Sequence, residues 1–204
     1  MKTIQAIAGA LLAALAAGCA NAPAVRANPA LDTVMSLGDF DDALLARAIF
    51  EESNRVRAAY GSPPLGHLDA LDAAADQQAT YLALSLSVGH SNPFPRERNV
   101  LERVNHEGLD PASVGENAIM MPATRPPESP EGSYTYAAYA AFLLEEWMNS
   151  PEHRETLLAL RFTRLGCAAR LAHGLRQDDQ RIFAVQEFFR PADRELVSPE
   201  GARP

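Results

Sequence analysis

The sequence predicts a single α+β domain. Three runs carry the 3.6-residue period of an amphipathic helix, and two apolar runs, 164–172 and 181–189, read as strands of a hairpin around a polar connection. A third strand-like stretch follows Gly115. The 204 residues are enough for one domain with a core, or one domain plus tails.

In chain order, Met1 to Cys19 has a positive start, an apolar run over 4–17 and small residues before the cysteine. The apolar run is too short to span a membrane and reads as a cleaved leader. Residues 20–38, rich in Ala, Pro and Asn, read as a flexible tether, and the domain is expected over 39–190 with a polar tail at 191–204. Phe40, Leu44, Leu45, Ala48, Ile49 and Val56 share one helical face that should stop at Gly61, before Pro63 and Pro64. Of the charges on this segment, Glu51 and Arg57 read as a solvated face.

Leu68, Leu71, Ala75, Ala79, Leu82 and Leu86 make a second helix, alanine-rich enough for close packing, ending at Val88-Gly89. Gly89-His90-Ser91-Asn92-Pro93 is a turn cluster, and 98–105 a short helix. Gly115 to Met121 reads as a strand, and Pro122 to Ser133, with four prolines, as a surface loop. A helix over 136–149 places Tyr139, Phe142, Leu143, Glu146, Trp147 and Ser150 on one stripe. Ser150-Pro151-Glu152-His153 then predicts a new helix, with an N-cap serine, proline at the first position and an acid in the first turn. His153 is thereby held beside Trp147, the only tryptophan, where it is either structural or part of a site.

The formal net charge of -8 excludes a basic nucleic-acid-binding face. Lys2 is the only lysine, which excludes lysine nucleophiles, Schiff bases and a phosphate-loop lysine from the rest of the chain. Cys167 sits in an apolar strand and reads as a buried inert thiol. Gly-x-Ser-x-Gly and His-Glu-x-x-His are both missing, and no cysteine neighbours a histidine.

Asn54-Arg55-Val56-Arg57, Gly89-His90-Ser91, Gly115-Glu116-Asn117, Pro151-Glu152-His153-Arg154, Leu165-Gly166-Cys167-Ala168 and Gln186-Glu187-Phe188 follow one another in an order that resembles the bacterial form of the CAP superfamily. That superfamily includes cysteine-rich secretory proteins, antigen 5 and pathogenesis-related 1 proteins, and the resemblance runs over residues 43–189. It implies a three-layer α-β-α sandwich with one cleft, to which His90, Glu116 and His153 contribute. Animal and plant relatives carry a further glutamate where this chain has Ser150. Glu146 lies one helical turn earlier, roughly 6 Å away on the same face, and either joins the cluster or pairs with Arg55 or Arg57. The resemblance also implies zinc on His90 and His153, with Glu116 as an outer partner or a base on bound water, against the alternative of a purely hydrogen-bonded cluster. Arg154 is expected to pair with Glu102 or Glu187.

The segment ending Leu15-Ala16-Ala17-Gly18-Cys19 resembles a bacterial lipoprotein signal, which implies lipidation of Cys19 and a membrane anchor; cleavage after Ala22 would instead release a soluble product. Three functions follow from the whole: a binding module of the cell envelope or a secreted one, taking a small molecule, lipid, glycan or peptide; a peptidase-like hydrolase using the His/Glu cluster; or a structural contact domain.

Overall fold

The computed structural model describes residues 28–124, 132–173 and 179–192. The leader, Cys19, the first part of the tether, and the tail beyond 192 lie outside the described residues, as do the middle of the proline-rich loop and of the hairpin connection. Among the described residues no helix is long and apolar enough to cross a membrane.

The elements run α1 (Asp42–Ala59), β1 (Gly66–His67), α2 (Asp69–Ser85), α3 (Val100–His106), β2 (Pro111–Pro122), α4 (Tyr136–Asn149), α5 (Pro151–Leu158), β3 (Arg164–His173) and β4 (Gln180–Pro191). The sheet order is β1-β3-β4-β2, with β1 parallel to β3 and the other pairings antiparallel. The expected hairpin is β3-β4, and the strand after Gly115 becomes the edge strand β2. One face of the sheet packs against α1, α4 and α5 around Trp147, Leu143, Ile49 and Phe188. The other packs against α2 and α3, through clusters containing Ala75, Leu82 and Phe183 and, separately, Leu71, Val104 and Phe189. This is the α-β-α sandwich.

Caps explain where the helices start. Asp41 accepts the Leu44 N-H at 2.9 Å, Asn99 that of Glu102 at 3.0 Å, and Thr135 that of Ala138 at 3.1 Å. Ser150 occupies the N-cap position of α5, with Pro151 at the start and Glu152 in the first turn as expected, but its hydroxyl makes no capping bond. Helix α2 ends at Ser85, earlier than periodicity suggested, because Leu86 takes the left-handed conformation at φ 51°. Close packing of α2 depends on Gly166, where a Cβ would overlap the backbone of Leu71 and Asp72.

Two expectations need correction. Residues 28–38 are not all tether: Pro29–Asp32 forms a 3-10 helix, Leu31 and Met35 are buried, and Met35 N-H bonds the Tyr134 carbonyl at 2.8 Å. Apolar side chains at this spacing gain by joining the core formed by α1 and α4. Arg57 is not on a solvated face either, being fully buried. Its Nη1 donates to the Leu157 carbonyl at 2.6 Å and to that of Ala159 at 3.2 Å, and its Nε donates to Pro63 O at 2.8 Å. With Ser62 Oγ on Leu158 O at 3.1 Å, Arg57 satisfies the otherwise open carbonyls at the C-terminal end of α5, where a cation also meets the negative end of the helix dipole.

Replacing Arg57 by Ala strands those carbonyls and leaves a cavity, so the Arg57→Ala variant should lose about 3 kcal/mol of stability. A urea unfolding curve measures this; a loss well under 1 kcal/mol would show that the carbonyls find other donors.

Candidate functional site

Strand β2 alternates its side chains between the two layers. Gly115 and Asn117 face α5, while Glu116 and Ala118 face α2 and α3. Gly115 is required because Phe162 comes so close that a Cβ would sit 2.7 Å from its ring. Asn117 Nδ2 donates to the His153 carbonyl at 3.1 Å and to Gln186 Oε1 at 3.0 Å, and Gln186 Nε2 reaches Ser53 Oγ at 2.7 Å. Asn117 thus ties α5 to the sheet through the backbone of His153.

On the opposite face, Glu116 lies directly across from Glu187 in the β2-β4 register. Arg103 of α3 reaches both: Nη2 binds Glu116 Oε2, and Nε lies 3.1 Å from Glu187 Oε1. Arg103 and Glu187 are fully buried. Glu116 Oε1 is 2.7 Å from His90 Nδ1, so both oxygens of Glu116 are engaged. The loop carrying His90 is pinned by buried Gln78, whose Nε2 donates to Gly89 O at 2.7 Å and whose Oε1 accepts from Asn92 Nδ2 at 3.1 Å. His90 and His153 therefore approach the β2 edge from opposite layers, one anchored to α2 and the other carried on α5.

Their environments pull the two histidines apart. His90 is raised from 6.5, first by its hydrogen bond to Glu116, with burial and Arg103 opposing. His153 is lowered, first by burial and then by the charge of His90, with Glu152 opposing. Glu187 is pushed well above the usual carboxylate range, chiefly by burial, then by the neighbouring Glu116 charge, with Arg103 opposing. Its Oε2 is buried without a hydrogen-bond partner among the described residues.

The remaining expected members fall outside this arrangement. Glu146 has no hydrogen bond or ion pair among the described residues. Arg55 is taken by Glu52 and Arg57 by backbone carbonyls, so Glu146 pairs with neither. Arg154 pairs with neither Glu102 nor Glu187, whose partners are Arg98 and Arg103; its Nη1 lies 3.4 Å from the Met148 carbonyl. Ser91 and Ser150 make no hydrogen bond to either histidine. Arg103, Gln78 and the pairing role of Glu187 escaped the sequence reading, although Arg103 falls on the Val100, Arg103, Val104 stripe of its helix, a signal of an inward-facing charge.

A model of the cysteine-rich secretory protein family, CAP, matches residues 50–188. The chain belongs to this family. The CAP fold is also seen in an extracellular SCP-domain protein from Bacillus anthracis, 21% identical with a TM-score of 0.53 over 73% of this chain and 41% of that one. An outer surface protein from Borrelia burgdorferi is 16% identical with a TM-score of 0.50, over 72% of this chain and 92% of that one. This chain thus spans less than half of the Bacillus protein. No curated protein matches the sequence.

Zinc on the CAP cleft can be tested against these atoms. Among the described residues His90 Nε2 and the His153 ring have no hydrogen-bond partner, and Glu116 holds the His90 ring from Nδ1 as a carboxylate holds a ligating imidazole. Each ring thus keeps a nitrogen free for a ligand. Glu116 is not a third ligand: among the described residues, its oxygens and the two histidines do not form a group of donors within 4.8 Å of one another.

The pH dependence follows from the shifts. Folded Glu187 keeps its proton to higher pH than the unfolded chain does, so its contribution to stability falls as pH rises from the ordinary carboxylate value. His90 acts in the same direction: its contribution is full below 6.5 and is lost as pH rises through its raised folded value. His153 acts oppositely, since it resists protonation when folded. Glu187→Gln should keep the fold and flatten the decline in stability from mildly acid to neutral pH. A histidine NMR titration should find His90 above and His153 below 6.5, with Glu116→Gln bringing His90 down; equal values would contradict the geometry.

Proposed function

We propose that this protein is an exported envelope domain that binds a small polar ligand, of the class of wall-derived peptides or glycans, between His90 and His153. One observation carries the reading: both oxygens of Glu116 are committed, to Arg103 and His90, and neither serine near the histidines is hydrogen-bonded to an imidazole. A site with no free carboxylate base and no activated nucleophile recognises rather than cleaves. The exposed His90 ring offers a donor, and the neutral His153 ring offers both a donor and an acceptor.

Export is supported by the leader-like first nineteen residues and by the extracellular and outer-surface descriptions of the two fold relatives. Attachment to the membrane through lipidated Cys19 is the form of export that the Ala-Ala-Gly-Cys sequence favours. Mass spectrometry of the mature N-terminus should find a diacylated cysteine; an unmodified N-terminus after Ala22 would make the protein soluble.

A hydrolase reading draws on one observation, that His153 is kept neutral without a hydrogen-bond partner, as a general base would be. Muropeptides added to the protein should shift the His90 and His153 NMR signals together, with binding lost in His90→Ala and no turnover of generic peptide or ester substrates. Turnover abolished by His153→Ala would decide for the hydrolase.

A further inference from the structure

The opposite edge of the sheet holds a second polar site. Strand β1 covers only the start of β3, with Gly66 opposite Arg164 and His67 opposite Leu165. Beyond it, the outer edge of β3 opens on a pocket of about 290 Å³ between α1 and α2, lined by Asp42, Phe50, His67, Asp72, Asp76 and Arg170 among others. At one end Arg170 bridges the helices, with Nη1 2.7 Å from Asp42 Oδ2 and Nη2 2.6 Å from Asp76 Oδ1. At the other end His67 Nε2 is 2.6 Å from Asp72 Oδ2, and His67 Nδ1 is 3.3 Å from Asp69 Oδ1.

We propose that His67, Asp69 and Asp72 form a binding site for a divalent transition cation of the zinc class, separate from the His90 cleft. One donor atom from each of the three lies within 4.8 Å of the other two, the only such group of three among the described residues. The set is one imidazole nitrogen and two carboxylates, which suits zinc with open positions for water and suits magnesium poorly. Two members are held in place from outside the group. Asp72 Oδ1 accepts the Cys167 N-H at 2.8 Å, which fixes the carboxylate and leaves Oδ2 for the cation. The His67 ring packs edge-on against Phe50, with centroids 5.2 Å apart. Asp69, 98% exposed, is free to swing from Nδ1 to an ion held by Nε2 and Asp72.

Charge favours the same occupant. Arg170 pairs with Asp42 and Asp76 and Arg47 with Glu51, so among the described residues no arginine pairs with Asp69 or Asp72. One oxygen of Asp42, Oδ1, is buried and accepts no hydrogen bond. The first turn of α2 opposes a cation by roughly half a charge, less than the surplus of carboxylates supplies. The ordinary alternative is an ion-paired staple, His67 between two aspartates, joining β1 to α2.

The test is isothermal titration of the full chain with zinc chloride at neutral pH, with circular dichroism on every variant. A His90→Ala/His153→Ala double variant should still bind one zinc here. His67→Ala and Asp69→Asn on that background should weaken binding roughly tenfold or more, and excess magnesium should not compete. Asp69→Asn is the fold-safe variant, because that side chain is 98% exposed and among the described residues pairs only with His67. Failure of folded protein to bind zinc, binding that survives His67→Ala, binding lost with the cleft histidines, or equal competition by magnesium would each overturn the proposal.

Discussion

The guanidinium of Arg103 is the constraint on which the cleft rests. Two glutamates directly opposite on neighbouring strands, facing inward, would repel and lose their hydration together. Arg103 makes the arrangement tenable by binding one oxygen of each, and burial pushes Glu187 toward its protonated form. The second oxygen of Glu116 points outward to His90. A buried network of this kind contributes little net stability. What it does is set the direction and protonation of one exposed imidazole.

The other imidazole is placed by different means. His153 is held through its own backbone carbonyl by Asn117, and the far end of its helix is held by Arg57. Its ring is left without a hydrogen bond, near enough to His90 to be lowered by that charge. The same pair of residue types therefore presents one ring biased toward the proton and one biased against it. Sheet alternation produces the difference, because Glu116 and Asn117 are neighbours in sequence and belong to opposite layers.

Elements with a clear period were legible before the fold was known. The helix over Tyr136–Asn149 and the start of the next at Pro151 agree with the structure, because aromatic and leucine spacing and the Ser-Pro signal are local. The two-residue strand β1 was not legible, since nothing local marks Gly66-His67 as paired to Arg164 and Leu165 nearly a hundred residues on. The family motifs gave His90, Glu116 and His153, and the structure joins Glu116 to His90 directly and brings His153 near. What motifs could not give was the partner of each charge. Glu146 stands in for a missing glutamate by helical geometry, yet Arg55 and Arg57, the arginines expected to hold it otherwise, are taken by Glu52 and by backbone carbonyls.

Arg57 and Arg103 share one lesson about charge in this chain. With Lys2 the only lysine, every inward-facing cation in the described fold is an arginine, and arginine tolerates burial because its planar head spreads one charge over five donors. Both lie on the apolar stripe of their helix: Ile49, Ser53, Val56 and Arg57 in one case, Val100, Arg103 and Val104 in the other. A charge on such a stripe must find acceptors inside the protein. Arg57 finds them at a helix end and Arg103 at two carboxyl groups, so the first positions the helix that carries His153 and the second the carboxylate that holds His90.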